Sequence, residues 1–276
     1  MAWVMTVAAG AAAAWGVSDF LAGALARRLP VLTILIGSEI SAMLLALLVA
    51  AVRGVPPPPD GRLWLGVAAG VVGLPSMGLL YRAMRDGSPS VVAPIAAVAA
   101  LVPAGWGLLH GDRLDIIAGL GVATGLLGVT MASWPVGAGG GRTARRSANL
   151  CALGAALGLG VYFVLLHEAG EADEFWALAS ARITEGLGAL ALALALGTSH
   201  RTLLRPAIVA VGATDVLADA AFIAAAASAL TPASVVASLY PAVTLLLNRS
   251  VLRERLHTVH LYGVLAALFS VACLAR

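Results

Sequence analysis

Apolar stretches of about twenty residues follow one another along this chain from Ala2 to Ala275, parted by short breaks that hold most of the charge. A helix rises about 1.5 Å per residue and the hydrocarbon core of a bilayer is about 30 Å thick, so about 20 apolar residues make one crossing. Ten stretches meet that requirement, over residues 2–25, 31–52, 63–84, 90–109, 115–134, 149–168, 175–197, 206–229, 234–251 and 258–275. A soluble domain carries about 25% charged residues, whereas this chain carries 11% and is 61% hydrophobic. The expected fold is an all-α integral membrane protein of ten transmembrane helices, with no soluble domain attached.

The breaks between these stretches cannot lie in lipid. They include Arg27, Arg28 and Pro30, then Arg53 with the prolines Pro56 to Pro59, then Gly111 and Asp112, and the acids Glu171, Asp173 and Glu174. The first positive charge is Arg27, so the N-terminus lacks the basic start of a cleaved secretory signal and residues 2–25 read as the first span. All 17 basic residues are arginine. They sit mainly at span ends, where they set topology and meet lipid headgroups, and nothing suggests a nucleic-acid surface. Cys151 and Cys273 fall on opposite faces of a ten-span bundle, about 30 Å apart, too far for a disulfide. Both are expected to be free packing residues.

Near the chain's midpoint, residues 137–148 combine a glycine run with Arg142, Arg145 and Arg146. They read as a flexible linker between halves spanning 1–136 and 149–276. A phosphate loop would need a following Lys-Ser or Lys-Thr and a preceding strand, and has neither. The halves repeat one another. Ser90-Val91-Val92-Ala93 opens the fourth span and Ser234-Val235-Val236-Ala237 the ninth; Asp112-Arg113-Leu114 and Glu254-Arg255-Leu256 follow about twenty residues later, each leading into a glycine-bearing apolar helix. Shared order and spacing point to duplication. Five helices per half is an odd number, so the second half enters the membrane inverted, a device of secondary transporters.

The Trp15-Gly16 pair, the two Ser-Val-Val-Ala segments, Pro241, the acidic-Arg-Leu turns and the closing helices together resemble the EamA-type branch of the drug/metabolite transporter superfamily. The resemblance covers essentially the whole chain. It implies two inverted five-helix repeats around a central cavity, with export or exchange of small metabolites. The usual Gly-Glu-Arg-Leu turn is replaced by Gly111-Asp112-Arg113-Leu114 and Arg253-Glu254-Arg255-Leu256, and Pro94 and Pro103 flank the position that would mirror Pro241. These departures leave the substrate class open.

Charges in mid-span are the informative exceptions, because each costs about 2.5–3.5 kcal/mol at a helix centre on insertion scales. Six stand out: Asp19, Glu39, Arg182, Glu185, Asp215 and Asp219. Five acids cannot all pair with one base, so some must be hydrated or protonated. Arg182 and Glu185 share a helix face at i, i+3 and can pair; Glu39 holds the repeat-equivalent position to Arg182 and is the rival partner; Arg182 facing the cavity as an anion contact is a third reading. Trp15, Ser18, Asp19 and Ala22 form one stripe on the first span, expected to face Asp215 and Asp219, although Asp19 could also lie near a wetted helix end. Asp215 and Asp219, four residues apart, put two carboxyls about 6 Å apart on one face and are the candidates for proton coupling; a pairing of one of them with Arg182 is the plainer alternative. Tyr81, Tyr162 and Tyr240 complete the candidate cavity lining, with an interfacial belt as the other reading of Tyr81. Gly66 with Gly70, Gly121 with Gly125, and Gly154 with Gly158 have the spacing for close helix packing, within the monomer or at a dimer seam. Pro94, Pro103 and Pro241 are candidate hinges.

These features point to a secondary transporter of a small metabolite or drug-like solute, working by alternating access and coupled to protons at Asp215 and Asp219, in a bacterial plasma membrane. A membrane-embedded enzyme is the alternative from another class, and a lipid scramblase or flippase a further one. No nucleophile elbow surrounds Ser18, and His257 with His260 have no third acidic ligand nearby, so no catalytic residue, metal or cofactor is expected. The oligomeric state is left open. Twelve arginines in odd-numbered breaks against four on the other side place both termini outside by the positive-inside rule, while the resemblance implies cytosolic termini.

Overall fold

The computed structural model describes residues 2–26, 28–86, 98–132, 142–198, 203–251 and 257–274. Its helices are α1 (Ala2–Ala26), α2 (Val31–Arg53), α3 (Leu63–Asp86), a single 3-10 turn (Val98–Ala100) leading into α4 (Leu101–Leu109), α5 (Ile116–Ala132), α6 (Arg142–Gly170), α7 (Glu174–Leu196), α8 (Pro206–Ala226), α9 (Leu230–Ala237), α10 (Tyr240–Val251) and α11 (Thr258–Leu274). Among the described residues, seven segments are long and apolar enough to cross a membrane: α1, α2, α3, α6 from Ser147, α7, α8, and α9 with α10 taken together. Shorter apolar helices lie within α5 and α11.

Local chemistry sets the helix ends. Gly54 and Gly197 adopt φ of 62° and 60° after α2 and α7, and their N–H groups return to Ala50 and to Ala193 and Leu194. This left-handed cap closes the last turn at little cost only for glycine. Pro206 opens α8, where its missing N–H loses nothing. Asp173 caps α7, accepting the Trp176 N–H at 2.8 Å.

Several boundaries differ from the sequence reading. Helix α6 begins at Arg142, so the second part of the stretch read as a linker is helical; alanine and arginine are both strong helix formers. The ninth span begins at Leu230 and breaks after Ala237, with α10 restarting at Tyr240. Ser234–Ala237 therefore ends a short helix instead of opening a long one. Pro241, at the second position of α10, cannot donate to the turn before it, which accounts for the break. Pro75 lies inside α3 without ending it, and the Ser76 hydroxyl bonds the Val72 carbonyl at 2.6 Å beside it. Pro94, Ser90–Ala93, residues 137–141 and the second acidic-Arg-Leu turn lie outside the described residues.

The burial pattern is that of a protein in lipid. Leu44, Leu47, Leu48 and Val52 of α2, and Leu187, Leu190 and Leu194 of α7, are exposed, whereas Glu39, Arg182, Glu185, Asp215 and Asp219 are buried. Intramembrane charges face the bundle interior because lipid cannot solvate them.

The helices from the two ends of the chain interleave. α1 packs on α8 and α3 on α6; α2 packs on α8 and α3 on α7; α2 meets α7, α4 meets α9, and α5 meets α11. Glycines allow the closest of these approaches. A methyl at Gly16 in α1 would meet the Tyr240 carbonyl at 3.0 Å, and one at Gly160 in α6 would meet the Ala99 carbonyl at 2.9 Å. Gly70 of α3 lies against the Ala181 carbonyl of α7, and Gly212 of α8 against the Ser38 carbonyl of α2. Gly66, Gly154 and Gly158 also pack within the chain, against Ser180, Leu79 and Ser76, and Ser270 of α11 donates to the Gly121 carbonyl. Cys151 and Cys273 are both free.

Candidate functional site: a four-carboxylate cage around Arg182

Arg182 sits at the middle of α7 and is 2% exposed. Its Nη1 donates to Glu39 of α2 at 3.2 Å and to Glu185, one turn on, at 3.1 Å. Its Nη2 donates to Asp215 at 2.7 Å and Asp219 at 2.8 Å, both on α8. The two partners that compete in the sequence reading, Glu39 and Glu185, are both engaged, because a guanidinium presents a planar fork of donors to several acceptors at once. Asp215 and Asp219 share the other nitrogen, as their i, i+4 spacing on one helix face permits. The Arg182 Nε–H has no acceptor among the described residues.

Asp219 is the most connected carboxylate of the group. Besides Arg182 it accepts the Tyr162 hydroxyl of α6 and, at 3.2 Å, the Trp15 indole N–H of α1. Side chains from α1, α6 and α7 thus converge on one acid of α8. Ser18 donates to the Val211 carbonyl of α8 at 3.2 Å, which binds α1 to α8 one turn below Asp215.

A cavity of about 60 Å³ opens beside this cage, lined by Trp15, Asp19, Tyr162, Arg182, Asp215, Asp219 and Tyr240 among others. Asp19 carries no hydrogen bond or ion pair among the described residues and faces this space half-buried. A second, smaller cavity of about 30 Å³ shares Trp15, Ala99, Phe163 and Tyr240 with the first and continues to Phe222, Pro103 and Ala237. Its walls are rings: Trp15 to Phe163 is 5.1 Å between centroids, Phe163 to Phe222 4.9 Å, and Trp15 to Tyr240 6.3 Å. The pair forms a polar chamber leading into an aromatic one.

Of the sequence candidates, Trp15, Asp19, Tyr162, Arg182, Asp215, Asp219 and Tyr240 line the first cavity, while Glu39 and Ser18 stand behind its wall. Tyr81 does not line it: it is buried with Ala22, Ile34, Leu35 and Val211, which also separates it from an interfacial belt. Phe163 and Phe222 escape the sequence reading. A helical-face argument finds Phe222, which follows Asp215 and Asp219 at i+7 and i+3; Phe163 carries no such signal beyond its neighbour Tyr162. Trp106 donates to Glu168 at 2.7 Å, a pairing that joins α4 to α6 and is invisible in sequence.

Beyond one end of the cage, polar contacts join the chain's two parts. Arg53 forms a two-pronged bridge to Asp173 at 3.1 and 3.0 Å and lies over the Phe175 ring. The Trp176 indole donates to the Val55 carbonyl at 3.2 Å. The Asp112 carboxylate accepts the Thr231 N–H of α9 at 2.9 Å. The hydrogen bond from Arg53, with that from the Trp176 amide, holds the Asp173 carboxyl below its ordinary range against the opposing effect of partial burial.

Three comparisons bear on this arrangement. A solved crystal structure superposes on 98% of this chain and 95% of its own length, with a TM-score of 0.76 at 16% sequence identity; at that identity the likeness is one of fold. No curated protein matches the sequence. The model of the EamA-like transporter family matches residues 2–134. The matched part, which is similar to the EamA-like transporter family, contributes Trp15, Asp19 and Glu39 to the site.

Proposed function

We propose that the protein is a secondary transporter that carries a small solute across a bacterial plasma membrane by alternating access, exchanging protons at the Arg182 cage. The observation that carries this reading is the cage itself: four carboxyls, from Glu39, Glu185, Asp215 and Asp219, surround one guanidinium where helices from both ends of the chain meet, and a fifth, Asp19, lines the cavity beside it. Like charges a few ångströms apart in a poorly solvated interior repel by several kcal/mol, about 4 at 4 Å in an effective dielectric of 20. The set cannot be fully ionised while dry. Protons, water or a bound solute must balance it, and their exchange as the site changes sides is transport.

The helix packing supports an inverted pair of five-helix halves, 1–136 and 149–276. If α1 to α5 correspond in order to α6, α7, α8, the broken α9–α10 and α11, then α1 on α8 is the counterpart of α3 on α6, and α2 on α8 of α3 on α7. The Gly70–Ala181 approach becomes the counterpart of Gly212–Ser38, and Gly16–Tyr240 of Gly160–Ala99. Glu39 and Arg182, repeat-equivalent and bonded to each other, then straddle the axis. Two near-equivalent halves of this kind rock about a central site.

Counterflow is the test. Purified protein in liposomes preloaded with an unlabelled solute, screened over amines, amino acids and sugars, is expected to accumulate the labelled form of one class transiently and unchanged. Chemical conversion of the solute would indicate an enzyme instead, and absence of counterflow across the panel would remove the transport reading.

A further inference from the structure

We infer that the transported solute is an organic cation, an amine or quaternary ammonium whose positive end docks at Asp19 and Asp215 and whose apolar end lies among the Trp15, Phe163, Phe222 and Tyr240 rings. This rests on the transporter reading and names the substrate class of the same site.

Charge comes first. Among the described residues, the groups facing the cavity or the cage are Asp19 on α1, Glu39 on α2, Tyr162 on α6, Arg182 and Glu185 on α7, Asp215 and Asp219 on α8, and Tyr240 on α10, with Tyr81 of α3 near enough to feel Asp19, Glu39 and Asp215. Only Arg182 among them is cationic, and its Nη atoms are already taken by Glu39, Glu185, Asp215 and Asp219. An anionic solute would find no free guanidinium edge except the single Nε–H. A cation finds Asp19, which has no partner among the described residues, at the cavity wall.

The site can also hold water. The orphaned Arg182 Nε–H requires an acceptor, and about 60 Å³ beside it is room for a few water molecules.

The rings supply the rest. Aromatic faces attract cations that have lost some of their water, and the chamber beyond Trp15 is walled by Phe163, Phe222 and Tyr240 with Pro103 and Ala237. An inorganic ion has no use for that apolar extension. Among the described residues, moreover, no group of three His, Cys, Asp or Glu side chains is arranged to hold a metal ion.

Charge balance then gives the exchange. As a cation arrives, one carboxyl O–H bond breaks and its proton leaves to water on the same side; no other bond changes. One proton moves outward for each positive charge moved inward.

Three probes of one body test the inference: phenyltrimethylammonium, neutral tert-butylbenzene and benzenesulfonate, titrated calorimetrically into the full chain in nanodiscs. The ammonium is expected to bind, to bind more tightly as pH rises, and to release protons, seen as a heat that varies with buffer ionisation enthalpy. Asp19→Asn is expected to weaken it at least about tenfold, and Asp19→Glu to restore most of the affinity. Equal binding of the neutral probe or the sulfonate, no proton release, displacement of the ammonium by Mn²⁺, or unchanged affinity in Asp19→Asn would each overturn the inference. Counterflow of some other solute without ammonium binding would sink the cation class and leave transport standing. Ammonium binding without counterflow of the ammonium would sink the transport reading alone.

Discussion

Arg182 Nη2 and Asp219 Oδ2 lie 2.8 Å apart in a buried ion pair, although 37 residues separate them in the chain. Removing the cation leaves four buried carboxylates facing one another. Breaking such a pair costs about 3–5 kcal/mol, so Arg182→Ala is expected to lose most of its folded yield or to melt far below the wild type in detergent. Arg182→Lys should not restore stability, because an ammonium is a point charge and cannot place two separated nitrogens each between two acids. A Lys variant as stable as the wild type would contradict the fork geometry.

Tyr162 donates its hydroxyl to the same Asp219 carboxylate. Tyr162→Phe keeps the ring between its neighbours and removes only that donor. The expected cost is about 1–3 kcal/mol, the penalty of an under-satisfied buried acceptor, read as a lower melting temperature. Loss of that donor to a cage carboxylate should also move the variant's activity profile along the pH axis; an unmoved profile would make the hydroxyl purely structural.

Helix spacing is tested at two glycines. A methyl at Gly70 would come within 2.7 Å of Thr184 Cβ on α7, whereas one at Gly10 meets nothing within 4 Å. Gly70→Ala is expected to cost about 1–3 kcal/mol through overpacking. Gly10→Ala should be neutral or slightly stabilising, since alanine is the better helix former. Equal melting temperatures for the two variants would show that α3 and α7 do not approach this closely.

Asp173 offers a titratable contact outside the membrane-spanning helices. Its carboxyl titrates below its ordinary value because Arg53 hydrogen-bonds the charged form. A depressed carboxylate stabilises the fold fully above its unfolded pKa, about 3.9, and loses that contribution as pH falls through the lower folded value. Asp173→Asn, which keeps a good helix cap, should therefore narrow the stability difference between neutral and acid pH. Asp173→Ala should cost about 1 kcal/mol more for the lost cap. Melting curves between pH 7 and pH 3 check both.

The helical, membrane-embedded character of the chain was legible because apolar runs of spanning length cannot be anything else at this density, and the six mid-span charges announced themselves by their cost in lipid. What sequence could not assign was partnership. Glu39 and Glu185 compete for Arg182 on paper, and only the depth of α2 against α7 shows that one guanidinium serves both. Spacing places Asp215 and Asp219 on one face, but says nothing of Tyr162 and Trp15 arriving from two other helices. Tyr81 and Tyr162 look alike in sequence; packing buries one in an apolar cluster and turns the other to the cavity. The break between α9 and α10 was hinted at by Pro241, and the early start of α9 was hidden because its Asp112 contact comes from the distant part of the chain.

The account centres on protons exchanging at the Arg182 cage as the solute crosses. Solute flux in proteoliposomes under an imposed pH gradient, compared among the wild type, Asp215→Asn and Asp219→Asn, tests this most directly. The account predicts that the gradient accelerates wild-type flux and that at least one variant, Asp219→Asn foremost, transports down a solute gradient but no longer responds to pH. Full retention of pH-driven flux in both variants would contradict it.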